Sequence, residues 1–290
     1  MSEYQYFEFL AVDKPLNTRM QSEVRKLSTR AVITPTSFTN TYHFGDFHGD
    51  PCAMMRKYYD LHIHVTSWGT RRLMVKVPAK SLSGGVADYT LEPYLTSEAT
   101  GKHLLFDFTS EDDSADYTEE AEGWMASLAR VRDEIAMGDA RPLYLGWLAA
   151  IGTSQRNECA FDTEWEHELE PPAPAGLGDL TGPQQALADY LRIDTPLLAA
   201  AQEGSSALPS KAQMTAALRK HIAKLPESTK NRLLLAVAHG QHAAVLADLA
   251  RVTGDDRRND HEPRTVVALL DRADELRQAS HRRRSLSAVR

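Results

Sequence analysis

Apolar residues mostly alternate with polar ones in the first third of the chain and recur at helical spacing in the last third. Residues 4–12, YQYFEFLAV, are aromatic and mostly apolar, which predicts a strand buried on at least one face. DKPLN then turns the chain, with Pro15 removing a backbone donor. Thr18 with Gln21 fits a capping box, and Met20, Val24 and Leu27 recur at i, i+4 and i+7, the pattern of a short amphipathic helix. Residues 31–42 return to β-branched and aromatic types and predict a second strand, with Pro35 marking an edge or a bulge. Asp50 and Pro51 suit the N-cap and first position of a helix whose apolar face Met54 or Met55, Tyr58 or Tyr59, and Leu61 can continue, ending near Tyr59. Next, Leu61, Ile63 and Val65 alternate with His62, His64 and Thr66, and Leu73, Val75 and Val77 alternate with Arg72, Met74 and Lys76. The SWGTR between them predicts a hairpin turn, with the two histidines on the outward face.

Residues 103–110 predict a further strand, and an acidic run follows: Glu111, Asp112, Asp113, Asp116, Glu119, Glu120 and Glu122. Trp124, Leu128, Val131 and Ile135 then share one helical face, Gly138 can end that helix, and Pro142 opens another that buries Leu143, Trp147, Leu148 and Ile151. Residues 164–180, EWEHELEPPAPAGLGDL, have a linker's composition of acids, prolines and glycines. Beyond them the pattern is helical at 182–192, 195–202, 211–225, 228–239, 242–252 and 264–278, with no internal repeat. The expected fold class is α+β: a mixed α/β region over 1–160 with a mainly antiparallel sheet, a Pro/Gly-rich linker over 161–180, and an all-α region over 181–290 ending in a basic tail.

Composition narrows the function classes. The 290 residues are 42% hydrophobic and 25% charged, enough apolar content for a core. A formal charge of -7 argues against a surface wholly given to gripping nucleic acid or an anionic membrane. The opening MSEYQYFEFL lacks a basic region and Glu8 interrupts its apolar run, so no secretory signal is expected. No apolar stretch reaches the roughly 20 residues a membrane span needs. Cys52 and Cys159 are far apart and without a CxxC partner; a reduced, cytoplasmic setting follows as the expectation.

Candidate chemistry concentrates in HFGDFHGDPC, residues 43–52, and LHIHV, residues 61–65. Two histidines two apart on a strand, His62 and His64, point to one face about 7 Å apart, close enough to share an ion. His43, His48, Asp46, Asp50 and Cys52 are possible loop ligands, and a three-ligand zinc or manganese site with an open position would activate water for hydrolysis. Against this, Gly45 and Gly49 with Asp46 and Asp50 are turn chemistry, and HxH alone is a weak pattern, so no cofactor is favoured. Arg71 and Arg72, with Lys76, suit a phosphate or carboxylate, or else a charged hairpin edge that discourages sheet association. SLSGGVAD lacks the spacing and lysine of a phosphate loop, and no G-x-S-x-G occurs. Arg282, Arg283 and Arg284 either complement a helix C-terminus or contact an acidic partner or a phosphate backbone.

The stretches EYQYFEFLAVDKPL, TPTSFTN, GDFHGDP, WGTRRLMVKVP, PLYLGWLAAI, EPPAPAGLGDL and ALADYLRIDTPLLAAA resemble a family of uncharacterised bacterial proteins. Its members keep the GDF-x-GDP frame without a constant histidine pattern, and their C-terminal helices are longer and richer in arginine. The resemblance implies a shared shape and brings no activity, cofactor or catalytic residue. The leading expectation is a non-enzymatic interaction protein whose helical region docks a protein partner. Its alternatives are a metal-dependent hydrolase built on His62 and His64, and a nucleic-acid accessory factor using the basic tail and Arg71/Arg72.

Overall fold

The structure is a computed structural model and describes residues 4–79, 86–112, 121–156, 168–239, 245, 249 and 263–287. Cys159, the expected helix at 242–252, much of SLSGGVAD, the middle of the acidic run and the first part of the expected linker lie outside those residues. So do the side chains of Arg283 and Arg284.

The fold is α+β. Seven strands form one sheet: β1 Gln5–Leu10, β2 Val32–Ile33, β3 Ser37–Tyr42, β4 Leu61–Thr66, β5 Arg71–Pro78, β6 Leu95–Thr100 and β7 His103–Ser110. Their order is β2-β3-β1-β4-β5-β7-β6, and every pairing is antiparallel. The N-terminal strand is therefore internal, held by β3 and β4 on its two sides. SWGT closes the β4–β5 hairpin, where Gly69 takes a positive φ of 96° that a side chain would resist. The expected single strand over 31–42 is two short ones, because Thr34, Pro35 and Thr36 turn the chain and the Thr34 hydroxyl accepts from the amides of Thr36 and Ser37. Strand β6 escapes a reading of periodicity, since only Leu95 in LTSEAT is buried and its pairing with β7 sets its path.

One face of the sheet, called the aliphatic face for its branched strand residues, also carries Phe106 and Phe108. Leu61, Ile63, Val65, Leu73, Val75, Val77, Phe106 and Phe108 pack there against helices α3 Trp124–Ala136, α4 Arg141–Arg156, α5 Gly182–Tyr190, α6 Thr195–Glu203 and α9 Val266–Ser287. Helix α4 is apolar on every side because it lies between the sheet and other helices. A Cβ at Gly146 would stand 2.6 Å from Phe108 and 3.0 Å from Leu95, so the helix backbone rests directly on the strands.

Two short helices cover the other face: α1 Thr18–Arg25 and α2 Pro51–Lys57. The cap of α1 is Asn17, whose side chain accepts from the Met20 amide, and not Thr18 as the sequence suggests; Gln21 instead donates to the Leu16 carbonyl. The cap of α2 is Asp50, with Pro51 in the first turn, as expected.

The segment read as a linker is built into the aliphatic core as far as it is described. Leu177 is fully buried, and the Glu170 amide and Glu168 carbonyl bond to Arg264 and Val266. The Glu170 carboxylate receives a bidentate Arg264, at 2.6 and 3.0 Å, and a short bond from the Tyr144 hydroxyl. A proline-rich composition weakens regular structure but leaves side chains free to be buried. The expected boundary at 161–180 therefore does not separate two cores: α5, α6 and α9 share the cluster formed by the sheet.

Candidate functional site

The outward histidines are covered. His62 is completely buried and stacks on Phe9, its register partner, with ring centroids 3.9 Å apart. His64 stacks in the same way on Phe7 at 4.1 Å. Their nitrogens serve different partners. The His62 Nδ1 donates to the Glu8 carbonyl at 2.9 Å, and the His64 Nε2 to the Gln5 side-chain oxygen at 3.2 Å. The His62 Nε2 is buried with no partner among the described residues. Burial drives the His62 pKa well below the usual value, against the pull of the Glu8 carbonyl. Burial, with Arg72 adding to it, lowers His64 to about 4. Both rings are neutral near pH 7. The alternation of the strand was legible, but periodicity cannot show that a second layer covers the polar side.

That layer is built from α1, α2 and the HFGDFHGDPC loop. Phe47 leaves the loop to pack on Phe7, Phe9 and Phe38, with centroid distances of 5.2, 6.2 and 5.7 Å. A Cβ at Gly49 would meet the Phe47 ring at 2.4 Å, so the glycine is what lets the chain fold back over its own phenylalanine. Asp46 accepts from the Phe47 amide, and Asp50 accepts from the Cys52 amide. His43 is exposed and lies over Tyr4 at 5.8 Å, and His48 is exposed. Among the described residues no group of three or more His, Cys, Asp or Glu side chains is placed to hold a metal ion. His43, His48, Asp50, His62 and His64 are thus spread over a loop, a helix cap and a stacked pair of rings.

Strand β5 is internal, so the expectation of a charged hairpin edge is corrected. Arg72 forms a bidentate pair with Asp107 of β7, at 2.8 and 2.5 Å, and its Nη2 also lies 3.6 Å from the Cys52 sulfur. Asp107 holds the guanidinium pKa above its usual value. Arg71 points to the aliphatic side. It donates to the carbonyls of Asp189 and Tyr190, both at 3.2 Å, and lies over Trp124 and Tyr190. A cation against the last carbonyls of α5 complements that helix's dipole. Both arginines are thus engaged inside the molecule. Arg282 is exposed near the end of α9.

The open chemistry of the molecule lies elsewhere, on α7 Lys211–Lys224 and α8 Glu227–Ala238. A capping box fixes the start of α7: Ser210 accepts from the Gln213 amide while the Gln213 side chain accepts from Ser210. Pro226 opens α8. Neither helix has a buried residue, and neither belongs to a core cluster. Met214, Leu218, Ile222 and Leu225 follow one side of α7. In α8 the apolar LLLAVA leaves Leu234 67% and Leu235 60% exposed. The sequence predicts these helices by period, but the apolar LLLAVA run gives no sign of their exposure, since such a run is more usual in a buried helix.

No family model matches the chain, and no curated protein or solved structure matches it. Among the described residues no helix is long and apolar enough to cross a membrane.

Proposed function

We propose that this chain is a non-enzymatic interaction protein and that α7 and α8 form the arm with which it docks a protein partner. The observation that carries the reading is the exposure of Leu234, Leu235, Ile222, Met214 and Val237 on two helices without a buried residue. Isolated helices shorter than about 12–15 residues are marginal in water, and tertiary burial normally supplies their stability. Helices of 14 and 12 residues that bury little against their own chain gain that stability from a partner. Exposed apolar side chains are also what a protein interface uses as its central contact.

The test compares the full chain with a Leu234→Asp/Leu235→Asp variant, each tagged, cross-linked in the native cell and purified with its bound proteins. The variant should lose a specific protein that the parent retains, while its melting temperature stays the same. Identical sets of bound proteins at equal yield would overturn the reading.

A further inference from the structure

The face of the sheet that α1, α2 and Phe47 cover gathers the chain's soft donor atoms. Of eight methionines and two cysteines, Met20, Cys52, Met54, Met55 and Met74 pack in this one cluster, and Met54, Met55 and Met74 are buried. His62 lies among them. Phe9 stacks on one side of the imidazole, and Met74 is its register partner on the strand at the other side. Directly opposed residues on neighbouring antiparallel strands have Cβ atoms about 4.5–5.5 Å apart, so Met74 stands beside the ring. Helix α2 lies over β4, the strand that carries His62, and brings Met54 and Met55 as the roof.

The imidazole is held in the form that binds a metal. Its Nδ1 donates to the Glu8 carbonyl at 2.9 Å, which leaves the lone pair on Nε2. That main-chain bond keeps the Nδ1 edge toward the sheet, so Nε2, farther from the Cβ, faces the cover. It is buried there without a partner among the described residues.

Methionine is common in cores because it fills irregular gaps. Gap filling does not explain a buried imidazole nitrogen left unbonded beside thioethers, since buried polar groups are almost always bonded. A soft cation explains both. The carboxylates at the margins of this face are committed, Asp60 to Lys76 and two amides, Asp107 to Arg72. Neutral sulfur and nitrogen donors suit copper(I), and a single positive charge costs least to bury.

We propose that the His62 Nε2, the Met74 sulfur and one of the two adjacent sulfurs of α2 bind one copper(I) ion between the sheet and α2. Two of the three ligands are thioethers, which sets this site apart from the His and Asp loop set expected from the sequence. The inference does not depend on the reading of α7 and α8.

The test is an anaerobic titration of the full chain with copper(I) in competition with bicinchoninate. One ion per chain should bind, and X-ray absorption should show one nitrogen and two sulfur neighbours. Met74→Leu keeps the volume of the core, so the variant should melt with the copper-free parent yet bind copper at least tenfold more weakly. One of Met54→Leu and Met55→Leu should weaken binding to the same degree. Copper should raise the melting temperature of the parent and leave that of Met74→Leu unchanged. Cys52→Ser/Cys159→Ser should bind as the parent does. So should Tyr59→Phe, which removes the other polar atom of this cluster that lacks a partner. A parent that binds no copper, a Met74→Leu variant that binds as tightly as the parent, or parental affinity in both α2 variants would each overturn the proposal. Loss of the ion in the cysteine or Tyr59 variant would overturn it too, by placing the copper on other donors.

Discussion

The two faces of the sheet are sealed in different ways, although the same strands supply both. On the aliphatic face, long helices bury branched side chains and α4 touches the strands through Gly146. On the other face, Phe7, Phe9, His62, His64 and Phe47 form a stack of rings with charged pairs at its margins: Arg72 with Asp107, and Lys76 with Asp60 at 3.1 Å. Asp60 also accepts from the amides of Val12 and Asp13, so it anchors the chain leaving β1. Burial raises its carboxyl pKa, but those amides and Lys76 outweigh burial and hold it below the usual value. Both faces also bury polar groups: Arg71 and the Glu170–Arg264 pair are held on the helical side, while on the ring side the His62 Nε2 has no partner among the described residues.

Cavity formation should separate the faces most. Leu148→Ala, in a helix enclosed on all sides, should cost about 4 kcal/mol in guanidinium unfolding. Phe47→Ala should cost less, about 3 kcal/mol, because the loop that carries Phe47 can settle into the space. Equal losses, or the reverse order, would show that the loop is as rigid as the helical layer.

Charge pairing should give the next effect. Arg72→Met leaves Asp107 without its partner and should cost about 2–3 kcal/mol, below the range for fully buried pairs because both side chains keep some solvent contact. Arg72→Met/Asp107→Leu should recover a large part of that loss. If the double variant is as unstable as the single one, the pair contributes more than relief of an orphaned charge.

The smallest effect is one of pH. Folding lowers the pKa of His62 and of His64, the latter from 6.5 to about 4. Below pH 6.5 the unfolded chain binds protons that the folded chain refuses, so this contribution is complete above 6.5 and is lost as pH falls toward about 4. At about pH 5.5 the loss from His64 should be about 1.4 kcal/mol, and His62 adds to it in the same direction. Unfolding curves against pH for the parent and for His64→Leu check this: the variant should show the shallower decline, and parallel curves would place the sensitivity elsewhere.

Local signals were legible in the sequence. Asp50 with Pro51 marked the start of α2, SWGTR marked the hairpin, and the alternation from Leu61 to Val77 identified the strands and their aliphatic face. Long-range coverage was not legible. His62 and His64 carry the pattern of solvent-facing residues because alternation records which side a residue points to, and another segment decides whether water reaches that side. Phe47 sits among glycines and aspartates whose turn chemistry hides its role as a plug. The proline-rich segment likewise gave no sign that Glu170 would meet Tyr144 and Arg264, 26 and 94 positions away.

The sharing of one core between the sheet and the helices has a consequence in time. A ribosome completes β7 at Ser110, but α9, which finishes the cover of the aliphatic face, begins only at Val266. At roughly 5–20 residues per second, those strands wait about 8–30 s with an apolar surface only partly roofed. A nascent chain halted at the proline-rich segment would hold α3 and α4 but lack α5, α6 and α9, leaving part of the apolar surface open, the kind of surface that chaperones hold.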